Sequence, residues 1–252
     1  MQPKPHAFIP RVCSLALIAA TLFALLPMSG CVVVDRMRGR RVAIEGDPAS
    51  LPLPFIVQIE NKLGTVKVFA DPKLKQPVVY ASIMGKKEPR LAKWVAASIE
   101  NQSEQRILRV LSADPALDKI PVILDIRVPA IAGTMIRNNG GKVTLRNVAG
   151  PIQVYNGITD GNGGDVDVIT EAALAGPVTI QARNGNVRMA MGKGSIGKLD
   201  LAGKKGVSVD APNIAMVGVT GNRTTLNADL GVWGQPFKLQ ANEGKVFLQV
   251  RD

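Results

Sequence analysis

The chain has 252 residues, of which 46% are hydrophobic, 4% aromatic and 20% charged, a composition that fits a folded protein and excludes disordered and collagen-like chains. Its formal net charge is +11, but so few aromatic side chains offer little surface for stacking bases, so the charge does not indicate a nucleic-acid-binding protein. Both cysteines and the only histidine precede residue 32. A chain cleaved directly before Cys31 therefore has no histidine and no cysteine after its first residue, which excludes His- or Cys-dependent catalysis, internal disulfides and Cys/His zinc sites.

Residues 1–30 have the organisation of a secretory signal peptide. A basic start without acids leads into an uncharged apolar run over residues 12–26, and small residues then precede Cys31. This segment resembles a bacterial lipobox, which implies that Cys31 is lipidated and becomes the mature N-terminus. Val32 occupies a position where aspartate signals inner-membrane retention, so the resemblance favours the outer membrane. An uncleaved transmembrane anchor over residues 12–34 is the alternative.

Residues 31–41 are predicted to be the lipidated cysteine and a basic tether. The arginines of this segment are Arg36, Arg38, Arg40 and Arg41. They either meet anionic lipid headgroups or lie in solvent.

Alternating apolar and polar residues from residue 42 onward predict an all-β protein. Clear examples are residues 55–60, 65–69, 122–128 and 142–146. One short helix is predicted over residues 88–97, where Pro89 suits a first helical turn. A strand pair is predicted to follow it, near residues 97–101 and 105–112.

A repeat of about 20 residues runs through residues 131–252 and predicts a β-solenoid or β-helix-like stack with two strands per rung. The first inward residues of one strand series are Val143, Val166, Val187, Val207, Leu226 and Val246, and those of the second are Ile152, Val178, Leu199, Val217 and Phe237. Residues 42–130 form an N-terminal β region, and the whole of 42–252 is predicted to be one continuous domain.

The turns of the repeat share glycine and asparagine positions. Gly141, Gly164, Gly185 and Gly244 lie two residues before their strands' first inward residues, where positive φ is predicted. Four asparagines lie four residues before the first inward residues of their strands, which are Val143, Val166, Leu226 and Val246; they are Asn139, Asn162, Asn222 and Asn242. These asparagines either stack as a ladder or simply favour turns.

The same turn-and-strand unit occurs upstream as Gly64-Thr-Val-Lys-Val68, and the apolar strand 122–128 ends at Pro129. Together with repeated Asn-x-Gly-x-Val units such as Asn162-Gly-Gly-Asp-Val166, this pattern resembles the bacterial putative-adhesin family over residues 55–250. That family is a β-solenoid domain of unknown function found in exported and membrane-anchored proteins. The resemblance implies a fold and offers no catalytic residues.

The segment Gly192-Lys-Gly-Ser-Ile-Gly-Lys198 matches part of a phosphate-binding loop. Leu199 stands where such a loop needs Ser or Thr, and the alternation that follows does not predict a helix. We therefore predict a glycine-rich turn between strands, and no nucleotide.

An acidic cluster offers oxygen ligands of the type that calcium prefers. Its members are Asp160, Asn162, Asp165, Asp167 and Glu171. Their spacing fits neither an EF-hand loop nor a calcium-binding β-roll, so a polar solenoid corner is the alternative to a calcium site.

Stacking the rungs in chain order predicts two neighbouring outward columns. One contains Thr144, Asp167, Arg188, Ser208, Asn227 and Phe247, and the other contains Lys142, Asp165, Asn186, Gly206, Thr225 and Lys245. The candidate binding residues are Asp165, Asp167, Asn186, Arg188, Ser208 and Asn227. This face is either a polar surface that binds an extended glycan or an ordinary exposed surface with an Asp167–Arg188 ion pair.

These patterns predict a non-enzymatic, lipid-anchored module of the bacterial cell envelope, adhesin-like, with no cofactor. Its partner is either an anionic envelope polysaccharide or another envelope protein, in addition to the membrane that holds Cys31. A calcium-dependent polysaccharide lyase on a β-helix scaffold and a purely structural spacer are the alternative functions.

Overall fold

The computed structural model describes residues 39–46, 54–83, 94–102, 105–112, 119–157, 162–212, 214–231 and 234–251. All of them belong to one compact unit, Arg38–Asp252. Strands make up the regular structure of this part of the chain, which confirms the all-β prediction. The helix predicted over residues 88–97 falls mainly outside the described residues, and it is wrong at its end, because residues from Ala96 onward form a strand.

In chain order the strands are β1 Arg40–Arg41, β2 Ile44–Glu45, β3 Phe55–Asn61, β4 Gly64–Ala70, β5 Val78–Ile83, β6 Ala96–Gln102, β7 Gln105–Ser112, β8 Val122–Val128, β9 Ile131–Asn138, β10 Gly141–Arg146, β11 Ile152–Asn156, β12 Gly163–Ile169, β13 Val178–Ala182, β14 Val187–Gly192, β15 Gly197–Gly203, β16 Gly206–Asp210, β17 Met216–Gly221, β18 Thr225–Leu230, β19 Gln235–Ala241 and β20 Lys245–Arg251. The predicted strand pair near residues 97–101 and 105–112 is confirmed as β6 and β7, which are antiparallel.

The strands form two large mixed sheets. Sheet A has nine strands in the order β1-β5-β8-β4-β10-β12-β14-β20-β16, and sheet B has eleven in the order β17-β18-β15-β19-β13-β11-β9-β3-β7-β6-β2. The inner pairs of both sheets are parallel, such as β12 with β14 and β13 with β19. Antiparallel pairs occur toward the sheet ends, as where β5 joins β8 and β18 joins β15.

Seven of the described strands of sheet B are each followed along the chain by a strand of sheet A, and we call such a pair a rung; these strands are β3, β7, β9, β11, β13, β15 and β19. The rungs stack in the order β7–β8, β3–β4, β9–β10, β11–β12, β13–β14, β19–β20 and β15–β16. The prediction that the rungs of residues 131–252 stack in chain order is therefore wrong at the C-terminal end of the repeat. The last rung, β19–β20, lies between β13–β14 and β15–β16, and β3–β4 lies between β7–β8 and β9–β10.

The core lies between the sheets and is built from the inward half of each alternating strand. Val66, Val143, Val166, Val187 and Val246 form one fully buried, in-register column of sheet A. The predicted first inward residues thus occupy the expected register in both sheets. Leu226 and Val217 are exceptions, because β18 and β17 continue sheet B as antiparallel strands.

The predicted turn glycines stack directly on one another. Gly141 has the expected positive φ of 61°, but Gly164, Gly185 and Gly244 do not have positive φ. A Cβ on Gly185 would come within 2.2 Å of the backbone carbon of Gly164, and one on Gly244 within 2.1 Å of the carbonyl oxygen of Gly185. Glycine is required at these corners mainly because neighbouring rungs approach too closely for a side chain.

An asparagine ladder exists, but at a different position from the predicted one. Asn61, Asn138 and Asn156 end β3, β9 and β11 and are buried. The Nδ2 of Asn61 donates to Oδ1 of Asn138 at 2.8 Å, and the Nδ2 of Asn138 donates to Oδ1 of Asn156 at 2.8 Å. By contrast, Asn222 caps its own turn by accepting from the backbone N–H of Thr224 at 2.8 Å.

The segment that resembled a phosphate loop is a turn between β14 and β15, as predicted, and Leu199 lies in a strand. The hydroxyl of Ser195 is buried and donates to the carbonyl of Gly192 at 2.7 Å. It also accepts from the backbone N–H of Leu174 at 2.9 Å, so Ser195 holds this turn against the preceding loop.

Candidate ligand-binding face

The outer face of sheet A carries side chains in columns, because parallel in-register strands place every second residue beside its counterpart on the next strand. One column across β10, β12, β14, β20 and β16 consists of Thr144, Asp167, Arg188, Phe247 and Ser208. The column beside it consists of Arg146, Ile169, Ala190, Gln249 and Asp210. Arg188 and Ser208 belong to one column as predicted, but their predicted successive positions are wrong, because the inserted β20 puts Phe247 between them.

An open cavity of about 480 Å³ lies along these columns from β12 to β16. We call it the sheet A groove. Asp167, Arg188, Phe247 and Arg251 are among the residues that line it. Ala190 also lines it and is buried although it is an outward residue, so its small side chain gives the groove its depth.

Asp167 is the most enclosed charged group of the groove, with 8% of its surface exposed. Its Oδ2 forms an ion pair with the ammonium group of Lys142, and its Oδ1 forms the expected ion pair with Arg188, at 3.8 Å from Nη1. That second distance exceeds hydrogen-bonding range. Within the described part of the chain, Oδ1 of Asp167 is buried and accepts no hydrogen bond.

Arg188 packs against Phe247, with its guanidinium carbon 5.7 Å from the ring centre. Next to them, Nε of Arg251 donates to Oε1 of Gln249 at 3.2 Å, and Nε2 of Gln249 donates to Asp210 at 3.1 Å. The groove therefore combines two arginines, an aromatic ring and a chain of polar groups on one surface.

A second arginine–aromatic pair lies farther along the same face. The guanidinium carbon of Arg127 is 5.8 Å from the ring centre of Phe69, and Asp125 accepts two hydrogen bonds from Arg127 at 3.0 and 3.1 Å. The hydrogen bond to Asp125, followed by its charge, raises the pKa of the Arg127 guanidinium above its already high ordinary value. Arg127 is therefore a permanent cation on this face.

Two of the predicted binding residues link neighbouring rungs. The Oδ1 of Asp165 accepts from the backbone N–H of Asn186 at 2.7 Å and from its Nδ2 at 3.3 Å. The Oδ1 of Asn186 in turn accepts from the backbone N–H of Lys245 at 2.9 Å. Asp165 and Asn186 thus hold the corner beside the groove.

Asn227 does not lie on this face. It is an exposed residue of β18 in sheet B, paired with Asp200 and Thr220. Its predicted position assumed that every turn leads into sheet A, whereas β18 returns antiparallel along β15.

The acidic cluster is only partly described. Asp160 lies outside the described residues, Asn162 and Glu171 are exposed, and Asp165 and Asp167 have the partners given above. Among the residues that the structure covers, no group of three or more His, Cys, Asp or Glu side chains is placed to hold a metal ion.

The signal peptide, the alternative anchor and Cys31 also lie outside the described residues. The end of the predicted tether is described, and there Arg40 and Arg41 form β1 and pair with β5. In the described ranges no helix is long and apolar enough to cross a membrane.

Phe247 stood at the far end of the predicted column, and sequence reasoning did not select it or Gln249 and Arg251 as binding residues. The alternation of β20 is the signal that could have found the set, since it points all three to the same side.

Sequence reasoning also missed the outer face of sheet B. Open cavities there are lined by Gln58, Glu60, Arg137, Gln153 and Tyr155, among others. Gln153 donates to the hydroxyl oxygen of Tyr155 at 2.9 Å.

A solved structure supports the fold. The chain is similar to the crystal structure of a putative cell adhesion protein from Clostridium sporogenes, with a TM-score of 0.52 and 14% sequence identity. The similarity covers 85% of this chain and 99% of the other. No protein-family model and no curated protein matches the sequence.

Proposed function

We infer that this chain is a non-enzymatic, adhesin-like binding module of the bacterial cell envelope, anchored in the membrane through a lipid on Cys31. In this proposal a rigid β-solenoid presents the outer face of sheet A to an anionic polysaccharide. The observation that carries the proposal is the pair of arginine–aromatic contacts, Arg127–Phe69 and Arg188–Phe247, on the parallel part of sheet A.

The chemistry of that face favours an extended anionic partner. Arginine offers several N–H donors in a planar fork that matches carboxylates and sulfates. Arg127, Arg146 and Arg188 lie on strands β8, β10 and β14 of the same sheet, and adjacent strands are about 4.8 Å apart. A polymer running across the strands meets these cations at intervals, which suits a polysaccharide better than a small compact ligand.

The fold similarity to a protein described as a putative cell adhesion protein supports the adhesin-like part of the proposal. The lipobox-like segment before Cys31 supports the lipid anchor, and Val32 supports the outer membrane. The evidence for the anchor does not depend on the groove, so the anchor and the ligand are tested in separate experiments.

The ligand is tested with purified full-length protein in detergent micelles and anionic polysaccharide fractions from a bacterial envelope. We expect retention that weakens as salt rises, because exposed ion pairs are screened. The double variant Arg127→Gln/Arg188→Gln should lose most of this retention. Its matched control, Lys198→Gln/Lys238→Gln, removes the same charge from exposed positions of sheet B and should bind normally.

The same experiment separates binding from catalysis. The appearance of new polysaccharide chain ends, with or without calcium, is followed during retention. New ends in excess over protein would overturn the non-enzymatic proposal, and absence of retention would overturn the choice of polysaccharide.

The anchor is tested in cells by metabolic labelling with a fatty acid and by membrane fractionation. We expect label in the native chain and none in the Cys31→Ala variant, with the native label in the outer-membrane fraction. Labelling of the variant would show that Cys31 is not the lipidated residue.

A further inference from the structure

We propose that the sheet A groove is a subsite for one hexuronic acid residue, with Asp167 accepting a sugar hydroxyl and Arg188 and Arg251 binding the carboxylate. This proposal rests on the proposed function and names the chemical class of sugar that the face recognises. It follows from four features of the groove.

The first feature is an oxygen of Asp167 that has an ion-pair partner but no hydrogen bond. Its Oδ1 is buried, lies 3.8 Å from Nη1 of Arg188 and accepts no hydrogen bond within the described part of the chain, while Lys142 pairs with the other oxygen. Buried carboxylate oxygens are normally hydrogen-bonded, and a sugar hydroxyl reaches this one once the Arg188 side chain turns to the sugar carboxylate. A sugar hydroxyl is a neutral donor that does not disturb the ion pair with Lys142.

The second feature is a partly covered aromatic ring. Arg188 occupies one neighbouring position of Phe247 in the column, and Ser208 occupies the other. Phe247 is half-buried and lines the groove together with Ser208, whose side chain is small. An aromatic ring beside polar groups suits the mixed apolar and hydroxylated faces of a pyranose.

The third feature is the distribution of charge. Arg188 and Arg251 line the groove, and Asp210 lies on its outermost strand, where Gln249 donates to it. A carboxylate is attracted to the arginines and repelled by Asp210, which orients the sugar. A neutral sugar gains neither effect.

The fourth feature is the size of the groove. Its open volume of about 480 Å³ is within the usual range for small-ligand sites. Its depth depends on Ala190, an outward residue with only 6% of its surface exposed. A larger side chain at this position fills the groove without changing its charge.

The test measures binding of a short oligogalacturonate to the full-length protein by calorimetry, with the methyl-esterified oligosaccharide as the neutral control. We expect the ester to bind at least about tenfold more weakly, because it lacks the charge that the arginines recognise. Ala190→Leu should weaken binding of the acid by about tenfold or more while its circular dichroism spectrum stays native.

Asp167→Ala distinguishes a specific subsite from general charge attraction. If the groove attracts anions only through its net charge, removal of this carboxylate strengthens binding. If Asp167 accepts a sugar hydroxyl, the same change weakens binding by about tenfold. Unchanged or stronger binding in Asp167→Ala would overturn the proposal, as would equal binding of the acid and its ester.

The outcome also separates this proposal from the proposed function. Normal retention of Ala190→Leu and Asp167→Ala on the envelope polysaccharide, together with no binding of oligogalacturonate by the native chain, would overturn the subsite alone. If the variant Arg127→Gln/Arg188→Gln is not retained on the polysaccharide but still binds oligogalacturonate as the native chain does, the subsite is again contradicted, since Arg188 belongs to it. If the native chain is not retained at all, the proposed function fails first.

Discussion

Asn138 connects three rungs through its side-chain amide. Its Nδ2 donates to Asn156 at 2.8 Å and to the carbonyl of Gly64 at 3.0 Å, while its Oδ1 accepts from Asn61. Asn138→Ala leaves buried polar atoms of both neighbouring asparagines without partners. We expect the free energy of unfolding to fall by about 2–4 kcal/mol, measured by denaturant titration.

Asn184 provides the matched control, because it is an exposed asparagine in the turn before β14. Asn184→Ala should change the free energy of unfolding by no more than about 0.5 kcal/mol. Similar losses in the two variants would mean that the ladder contributes no more than an ordinary turn residue.

Glu243 illustrates an exposed ion pair with a measurable titration. The hydrogen bond from Nζ of Lys204 to its Oε2, at 2.6 Å, lowers the pKa of Glu243 below its ordinary value, and the charge of Lys204 acts in the same direction. We expect NMR titration of the Glu243 carboxyl carbon to give a depressed midpoint that returns toward the ordinary value in Lys204→Gln.

The sign of the accompanying stability effect follows from linkage. Because the folded-state pKa of Glu243 is the lower one, the pair stabilises the protein above the unfolded-state pKa, and this contribution is lost as the pH falls through the folded-state value. An unchanged midpoint in Lys204→Gln would show that Lys204 does not cause the shift.

At the scale of single elements, the stacked corner glycines limit what the turns tolerate. A Cβ on Gly185 meets backbone atoms of Gly164 and Asp165 at 2.2–2.3 Å, and a flexible side chain cannot relieve that collision. Gly185→Ala should therefore lower the free energy of unfolding by about 3 kcal/mol, measured by thermal or denaturant unfolding.

Gly133 in β9 is the matched control for Gly185, since it is also buried. A Cβ on Gly133 comes no closer than 3.5 Å to any neighbour, and its φ is not positive. Gly133→Ala should be neutral or slightly stabilising, because alanine restricts the unfolded chain. A loss at Gly133 equal to that at Gly185 would contradict the explanation by close approach.

Sequence patterns predicted the strands well because burial of alternate residues leaves a period of two in the chain. Val143, Val166 and Val187 were aligned correctly from their spacing alone, and the structure pairs them directly. The positions of the corner glycines were also predictable from the sequence. The reason why glycine is required there was not, because it is the close approach of neighbouring rungs, which only the stacked structure shows. The true positions of the asparagine ladder were missed, because Asn61, Asn138 and Asn156 lie at the ends of sheet B strands. The asparagines considered from the sequence were those in the turns that precede the other strand series.

At the scale of the whole molecule, periodicity does not determine which rung stacks on which. Every rung offers the same kind of apolar interior and the same unpaired backbone edges, so the sequence of β19–β20 is as compatible with the end of the stack as with its interior. The candidate site depended on this choice: Arg188 meets Phe247 only because β20 lies beside β14. Asp167, Arg188 and Ser208 of the groove were therefore among the predicted binding residues, and the groove residues on β20 were not.

The interior position of the last rung makes a prediction about hydrogen exchange. In a stack built in chain order, the C-terminal strands lie at an end and open first. Here β20 is paired on both sides, with β14 and β16, and β19 is paired with β13 and β15.

We therefore expect the amides of Val246, Leu248 and Val250 to be among the slowest to exchange, although they lie within the last seven residues. The amides of β17, which lies at the edge of sheet B, should exchange much faster and serve as the internal reference. Rapid exchange in β20, comparable to that in β17, would contradict the insertion of the last rung, and with it the placement of Phe247 and Arg251 in the sheet A groove.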